Sequence, residues 1–336
     1  MRIATYNIEN LDDVAVSSDR DAPFEERVRI LRPMLERLRA DIICFQEVHG
    51  QNVASGPRRL RALETLLSGT RYSVHTLSST TLKNKPDVER YRNLVVATPA
   101  GDTVEEMREI QNTLVNPPQY FRVTAEGDQL PKKVIWDRPT LYVRLRRQSG
   151  VVLHILNVHF KSKNPTRIPG QGPDDYKWKT ASGWAEGYFL SSMKRVGAAL
   201  ETRMFIDGIF DVEPDANILI CGDFNAEPHE VPVMAIRGQT EDTGNPALNH
   251  RVMHPVALSV AQSRRYTLFH HGRGNLLDHM LVSRRMMACF QGIEIHNEMI
   301  HDESVAFAFD AKFPESDHAP VVAEFDLDTL GVPLVV

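Results

Sequence analysis

The first 48 residues restrict the architecture most. Arg2-Ile-Ala-Thr-Tyr-Asn-Ile8 reads as a strand that alternates loosely and turns polar at Asn7. Phe24, Val28, Leu31, Leu35 and Leu38 recur at helical spacing, so 24–39 is expected to form an amphipathic helix, kinked or split at Pro33. Asp41-Ile-Ile-Cys-Phe-Gln-Glu-Val48 is a short apolar run whose last residues become polar. Strand, helix and strand in succession open an α/β layer protein. The same alternation continues: a helix at 57–68, strands at 71–77 and 92–98, and strands at 139–146 and 151–160 joined by a Gln148-Ser149-Gly150 turn. A long helix is expected over 180–209, weakened by Gly183, Gly187 and Gly197, with later strands near 266–270, 276–283 and 318–327. Polar loops are expected at Asp12–Asp19 and Pro165–Asp175, an irregular stretch at 78–91, a ragged one at 237–263, and a helix somewhere in 102–133. No repeat, low-complexity tract or linker interrupts the 336 residues, so the expectation is one domain over 1–330 and a tail at 331–336.

Ile218-Leu-Ile-Cys-Gly-Asp-Phe-Asn-Ala-Glu-Pro228 carries the densest chemistry. Four apolar residues read as a buried strand, and Gly222 permits a tight turn or a close backbone approach. Asp223 and Asn225, two apart, would share one side of an extended segment with Phe224 on the other. Alone, such a stretch reads as an Asx-rich turn after a core strand. Other apolar segments end in the same kinds of side chain: Asn7, Gln46 with Glu47, His159, Asp278 with His279, and Asp317 with His318. Ligands gather beyond strand ends in α/β sheets, so these distant positions can converge. Glu47, Asp317 and Asn7 are oxygen donors suited to Mg²⁺ or Mn²⁺. Asp278 can hold the His318 ring in one tautomer.

Bulk properties narrow the setting. Net charge is −5, so no global basic field draws the chain to nucleic acid or anionic lipid, although a local basic rim or a bound dication would change that. The three cysteines have no disulfide or zinc spacing, and Cys44 and Cys221 sit in apolar runs. The N-terminus shows no basic region followed by an apolar one, and no apolar run nears the ~20 residues that span a bilayer. A cytoplasmic, monomeric protein is the expectation.

The ordered motifs Thr5-Tyr6-Asn7, Gln46-Glu47-Val48, Arg138-Pro139, Asn157-Val158-His159, Gly222-Asp223-Phe224-Asn225, Leu277-Asp278-His279 and Ser316-Asp317-His318-Ala319-Pro320 resemble those of the endonuclease/exonuclease/phosphatase superfamily, from residue 2 to about 327. The resemblance implies a DNase I-like four-layer α/β sandwich, two mixed sheets face to face with helices outside. It implies Glu47 as principal Mg²⁺ or Mn²⁺ ligand, helped by Asn7 and Asp317. Asp223 would orient or deprotonate the attacking water, and Asn225 would hold that water or the phosphate. His159 and Arg138 would meet phosphate oxygens, and His318 with Asp278 would stabilise the phosphorane or act as acid/base. Glu9 lies where some relatives carry a second acidic residue.

The sequence is less specific about substrate. Asn275-Leu276-Leu277-Asp278-His279-Met280 lacks the signature of inositol-polyphosphate 5-phosphatases, and lacks the tryptophan-arginine pair of exonuclease III-like repair enzymes. A metal-dependent phosphodiesterase on DNA or RNA is the leading expectation. A small-molecule or lipid phosphoesterase, sphingomyelinase-like or acting on inositol phosphates, is the alternative, and an inactive binding protein on the same scaffold a third. Lys161 with Lys163 reads as a phosphate-steering rim or a solvated pair. Trp178 and Trp184 read as a stacking platform or as helix packing.

Overall fold

Alternation along the strands decides the layering. In chain order the strands are β1 (Arg2–Leu11), β2 (Ile42–Val48), β3 (Thr76–Ser79), β4 (Asn93–Thr98), β5 (Thr103–Ile110), β6 (Gln119–Tyr120), β7 (Lys132–Lys133) and β8 (Thr140–Arg146). They continue as β9 (Val152–His159), β10 (Ile218–Asp223), β11 (His254–Pro255), β12 (Leu268–His270), β13 (Arg273–Asn275), β14 (Asp278–Val282), β15 (Phe290–Ile295) and β16 (Val321–Phe325). The helices are α1 (Phe24–Leu38), α2 (Arg61–Leu67), α3 (Ala181–Val212), α4 (Val231–Arg237), α5 (Thr240–Thr243), α6 (Arg284–Met287) and α7 (Glu303–Phe309). The computed structural model describes residues 1–13, 22–83, 85–127, 130–172, 177–309 and 313–327; most of the loop expected before residue 20, part of the 165–175 loop and the tail at 331–336 lie outside the described residues.

Twelve of the strands form two six-stranded sheets, ordered β15-β16-β1-β2-β4-β3 and β11-β14-β10-β9-β8-β5. Both are mixed: β1 runs parallel to β2 and antiparallel to β16, and β10 runs parallel to β9 and antiparallel to β14. On the first sheet's outer face, Val28, Leu31 and Leu35 of α1 and Leu63 and Leu66 of α2 cover Tyr6, Ile8 and Phe45. On the second sheet's outer face, Ala199, Ile206 and Phe210 of α3 and Val233 of α4 cover Leu156, Val158 and Ile220. The sheets meet through Ile3, Ile42, Cys44, Leu153, Ile155, Leu219 and Cys221. This is the four-layer sandwich the motifs imply.

Because side chains alternate with period two, the inter-sheet face of each central strand can be followed residue by residue. It runs Ile3, Thr5, Asn7 on β1; Ile42, Cys44, Gln46 on β2; Leu153, Ile155, Asn157, His159 on β9; and Leu219, Cys221, Asp223 on β10. Apolar residues lie at one end of that face and polar ones at the other. Where they change over, the sheets are tied by hydrogen bonds: Gln46 Nε2 donates to Asn157 Oδ1 at 2.7 Å, and Asn157 Nδ2 donates to the carbonyls of Phe45 (2.9 Å) and Val95 (3.0 Å). All these groups are fully buried, where an unpaired amide would cost a few kcal/mol.

Several expectations are corrected. α1 is one helix without a split at Pro33, which lies on its exposed side, where water can satisfy the carbonyl that loses its partner. Residues 71–74 are turns rather than strand, and β3 begins at Thr76. The expected helix in 102–133 is absent among the described residues; β5 stands there instead, pairing at the sheet edge with β8. β15, α4 and α7 were not anticipated. Gly197 is no weak point: the Trp136 ring packs so close that an added Cβ would lie 2.2 Å from it. No helix among the described residues is long and apolar enough to cross a membrane.

Gly222 sits at φ +134°, and a Cβ there would lie 2.0 Å from the Val158 carbonyl oxygen of the neighbouring strand. Backbone strain and a backbone clash would add. Gly222→Ala is expected to lower stability by roughly 3 kcal/mol, read as a fall in the urea midpoint at unchanged m-value; an unshifted midpoint would contradict the packing described.

Candidate active site

Strand register brings the site together. In the second sheet Asp223 is paired with His159 on one side and with Asp278 on the other, so three chemically capable side chains stand abreast. In the first sheet Asn7 is in register with Gln46, one residue before Glu47. Strict alternation would turn Glu47 towards the helices. Instead its backbone is left-handed (φ +60°) at an irregularity between β2 and its neighbours. That break directs its carboxylate to His159: Glu47 Oε1 lies 3.5 Å from His159 Nε2. The same ring nitrogen is 3.4 Å from Asp223 Oδ2.

Asp223 is the most heavily bonded of these groups. Its Oδ2 accepts from Asn7 Nδ2 (3.2 Å) and Asn225 Nδ2 (3.0 Å), and its Oδ1 from the Asn225 N–H (2.8 Å). Asp223 and Asn225 do meet, but not along one side of an extended segment. β10 ends at Asp223 and Asn225 is left-handed at φ +48°, so a turn, not alternation, brings the carboxamide back. Burial pushes the Asp223 carboxyl up to about 7, with Asp278 and Glu47 adding to the rise and His318 opposing it.

His318 faces Asp223 from the other side. Its Nδ1 donates to Asp278 Oδ2 at 2.7 Å, the pairing expected from sequence, while Nε2 lies 3.9 Å from both Asp223 Oδ2 and Asp317 Oδ1. Burial alone would lower the imidazole's affinity for a proton, but Asp278, Asp317 and Asp223 together hold it well above the usual histidine range. Thr267 fixes this arrangement, its hydroxyl accepting the Asp278 N–H at 3.1 Å. His159 behaves oppositely: burial and the Arg138 and Arg92 guanidinium groups push it well below the ordinary value, leaving a neutral ring.

Asp317 lies beside Glu9, whose Oε2 accepts the Asp317 N–H at 3.0 Å. Burial and then the Asp317 charge raise Glu9 well above the carboxylate range, and burial pushes Asp317 up to about 6. Glu9 (φ +49°) and Asn10 (φ +45°) are also left-handed. Arg27 secures this corner by donating to the carbonyls of Ile8 (2.6 Å) and Glu9 (2.7 Å). Its signal in the sequence is an arginine one turn before Leu31 on the apolar side of a helix, which the periodicity reading passed over.

Glu47, Asp223 and Asp317 therefore border one hollow, linked by the two imidazoles, with Asn7 at its floor. The donor chemistry fits a hard divalent cation: all-oxygen ligands and several buried carboxylates whose proton affinities are raised by burial first and by one another's charge second. Glu47, Asp317 and the Asn7 carboxamide are the groups that would hold it. Asp223, Asp278 and His318 also offer ligand atoms within 4.8 Å of one another, but the Asp278–His318 hydrogen bond already occupies the inner nitrogen of the ring.

Arg138 Nη1 donates to the carbonyls of His159 (3.3 Å) and Phe160 (3.4 Å), bracing the end of β9. With Arg92, Tyr91, Lys83, Glu89 and Glu109 it also lines a cavity of about 630 Å³ that adjoins the hollow. Arg92, 3.7 Å from Glu47 Oε2, was not anticipated. Lys161 bonds Ser162 Oγ and the Asn164 carbonyl, and Lys163 pairs with Glu230, so both serve the loop rather than a free rim. Trp178 packs beside Val134, Ile168 and Leu190, whereas Trp184 is exposed and stacked on Tyr188.

A mixed-sheet sandwich with carboxylates and paired imidazole at the ends of its central strands is the arrangement of metal-dependent phosphoesterases. The family model described as "Endonuclease/Exonuclease/phosphatase family" matches residues 4–318, and the chain belongs to that family, whose members are phosphoesterase hydrolases. Among solved structures it is similar to an endonuclease/exonuclease/phosphatase family protein from Bacteroides thetaiotaomicron, at 14% identity and TM-score 0.57, covering 97% of this chain and 98% of the other. It is also similar to a mannosyl-6-phosphatase from Bacteroides thetaiotaomicron, at 13% identity and TM-score 0.58, covering 97% and 99%. A 3′ phosphatase from Neisseria bound to a product DNA hairpin matches at 16% identity and TM-score 0.52, covering 97% and 99%. Comparison with curated proteins finds no match.

Crowded carboxylates repel when no cation is bound. Glu47→Gln is expected to leave the metal-free protein as stable as wild type or more so, while abolishing the stabilisation by Mn²⁺, about 2.7 kcal/mol at a hundredfold excess over Kd. Thermal unfolding with EDTA and with Mn²⁺ checks this; a variant that Mn²⁺ stabilises as much as wild type would exclude Glu47 as a ligand.

Proposed function

We propose that the protein is a Mg²⁺- or Mn²⁺-dependent phosphodiesterase that cleaves nucleic acid, DNA or RNA, by in-line attack of water. The observation that carries this reading is Asp223, a buried carboxylate fixed by two carboxamides and faced by the His318–Asp278 pair.

In this reading the phosphate enters the hollow with its leaving oxygen directed away from Asp223. Glu47, Asp317 and Asn7 would hold a divalent ion, which would supply charge neutralisation at the phosphate oxygens. Asp223, with a proton affinity near neutrality, accepts a proton from water as the water oxygen bonds to phosphorus. The Asn7 and Asn225 amides keep the Asp223 carboxylate from rotating. The phosphorus–oxygen bond on the opposite side breaks, and the departing alkoxide takes its proton from solvent. His318, held protonated by Asp278, donates through Nε2 to a non-bridging oxygen as its charge grows. Neutral His159 donates from Nε2 to another, and Arg138 adds positive charge beside it. Positioning and charge stabilisation thus supply most of the rate.

A second reading, hydrolysis of a phosphate on a small hydroxyl-rich molecule, is favoured by one feature. The adjoining cavity carries Glu89, Glu109 and Asp137 against Lys83, Arg92 and Arg138, a balanced lining that suits sugar hydroxyls beside a phosphate. The mannosyl-6-phosphatase among the structural neighbours is in keeping with it. A lipid phosphate belongs to the same alternative.

Hydrolysis of bis(4-nitrophenyl) phosphate, 4-nitrophenyl phosphate, a single-stranded oligonucleotide and mannose 6-phosphate separates these. The phosphodiesterase reading expects activity on the diester and oligonucleotide that EDTA removes and Mg²⁺ restores. Asp223→Asn and His318→Ala are each expected to lower kcat at least ~10³-fold with little change in KM. Hydrolysis of monoesters alone, or full activity in Asp223→Asn, would overturn it.

A further inference from the structure

A second cavity, of about 220 Å³, opens where the β6–β7 hairpin meets the first half of α3. Its walls include Tyr120, Arg122, Lys132, Lys133, Asp137 and Lys194. Lys194 Nζ is 2.5 Å from Asp137 Oδ1, so those two charges offset each other. Arg122, Lys132 and Lys133 have no ion-pair partner among the described residues. A chain of net charge −5 thus gathers, around one small cavity, three cations that no acidic group among the described residues pairs, an arrangement whose mutual repulsion is relieved by an anion.

The walls are held in place. Glu186 of α3 accepts the N–H groups of Val123 (2.6 Å) and Thr124 (2.9 Å), just past β6. The Trp136 indole donates to Glu201 at 2.8 Å. An aromatic side chain, Tyr120, lies among the cations in the cavity wall and packs on Phe189 with centroids 5.4 Å apart, while Phe121, the next residue in the chain, stands 51% exposed beside the wall. Cations interleaved with accessible rings are what an unpaired strand needs, because its phosphates meet the charges while its bases stack. A duplex keeps its bases covered and a lone phosphate has none.

Location relates this cavity to the site. Asp137 lines both cavities, and Arg138 follows it directly. From Lys133 to Arg138 the chain spans at most ~18 Å, a length that a few nucleotides cover. We propose that the β6–β7 hairpin and α3 form a strand-holding subsite, which grips phosphates and bases of a single-stranded polynucleotide a few nucleotides from the bond that is cut. The proposal rests on the phosphodiesterase reading above.

The test compares a dinucleotide, a 12-nucleotide single strand and a 12-base-pair duplex, each as DNA and RNA, with inorganic polyphosphate as a base-free competitor. Wild type is expected to prefer the 12-mer to the dinucleotide. In Arg122→Ala/Lys132→Ala/Lys133→Ala, with the thermal midpoint unchanged, that preference falls at least tenfold, in KM rather than kcat. The slope of log affinity against log salt falls by about 2, as for loss of three single-strand phosphate contacts. Phe121→Ala weakens the single strand severalfold and leaves competition by polyphosphate unaltered. Preference for deoxy or ribo strands identifies the sugar, and either supports the subsite. A triple variant that keeps the length preference, or a loss as large for duplex as for single strand, overturns the subsite and leaves the phosphodiesterase reading standing. Wild-type protein that hydrolyses small esters and no polynucleotide overturns both.

Discussion

The hydrogen bonds joining Gln46 and Asn157 between the two sheets are the constraint on which the rest of the structure depends. Two sheets packed through aliphatic side chains alone could slide, since dispersion contacts are not directional. Asn157 removes that freedom because its amide bonds backbone carbonyls on two strands of the opposite sheet, and its oxygen accepts from Gln46. Misplacing either sheet would strand several buried polar groups at once. The tie sits two residues before His159 on β9 and one before Glu47 on β2, so it sets the distance across which those side chains meet.

Beyond the tie, the inter-sheet space changes from core to reaction hollow without any change of strand. The face that packs Leu219 and Cys221 is the one that presents Asp223 two residues later. Glu47, inside β2, departs from this rule through a left-handed backbone, as does Asn225 just past β10. Glu9, Asn10, Glu47, Arg92 and Asn225 all adopt positive φ, and each borders the hollow or bonds to a residue that does. Non-glycine residues in that region cost roughly 1–3 kcal/mol each and persist where surrounding structure enforces them. Together with crowded buried carboxylates, they mark a region arranged for charge placement at some expense of stability. Burial acts alike on the two histidines and their charged neighbours give them opposite characters: His318, among three aspartates, retains a proton, and His159, buried beside two arginines, does not.

Much of this was legible because the informative residues stand at the ends of apolar runs, where a strand's periodicity stops and a polar side chain has no packing reason to be. Asn7, Glu47, His159, Asp223, Asp278 and Asp317 with His318 were all singled out that way, and the structure brings them together. What the sequence concealed has local causes. Thr103–Ile110 contains Glu105, Glu106, Arg108 and Glu109, charges that suit an exposed helix face, yet pairing on one side only makes it an edge strand. α4 spans seven residues, too few for a helical period to show. Asn157 lies inside an apolar strand, and only a second sheet facing it turns an isolated carboxamide into a tie. Arg92 gives no signal at all, because its role follows from a left-handed turn that brings it to Glu47.

We propose that Glu47 of the first sheet and Asp317 just before its strand β16, with Asn7, hold one divalent cation in the hollow that Asp223 closes from the second sheet. Anomalous scattering from a crystal containing Mn²⁺ tests it most directly. The account predicts a strong peak with Glu47 and Asp317 oxygens in its coordination shell and the Asn7 carboxamide at its edge. No peak in the hollow of a Mn²⁺-saturated crystal, or a peak bound solely by groups elsewhere on the surface, would contradict it.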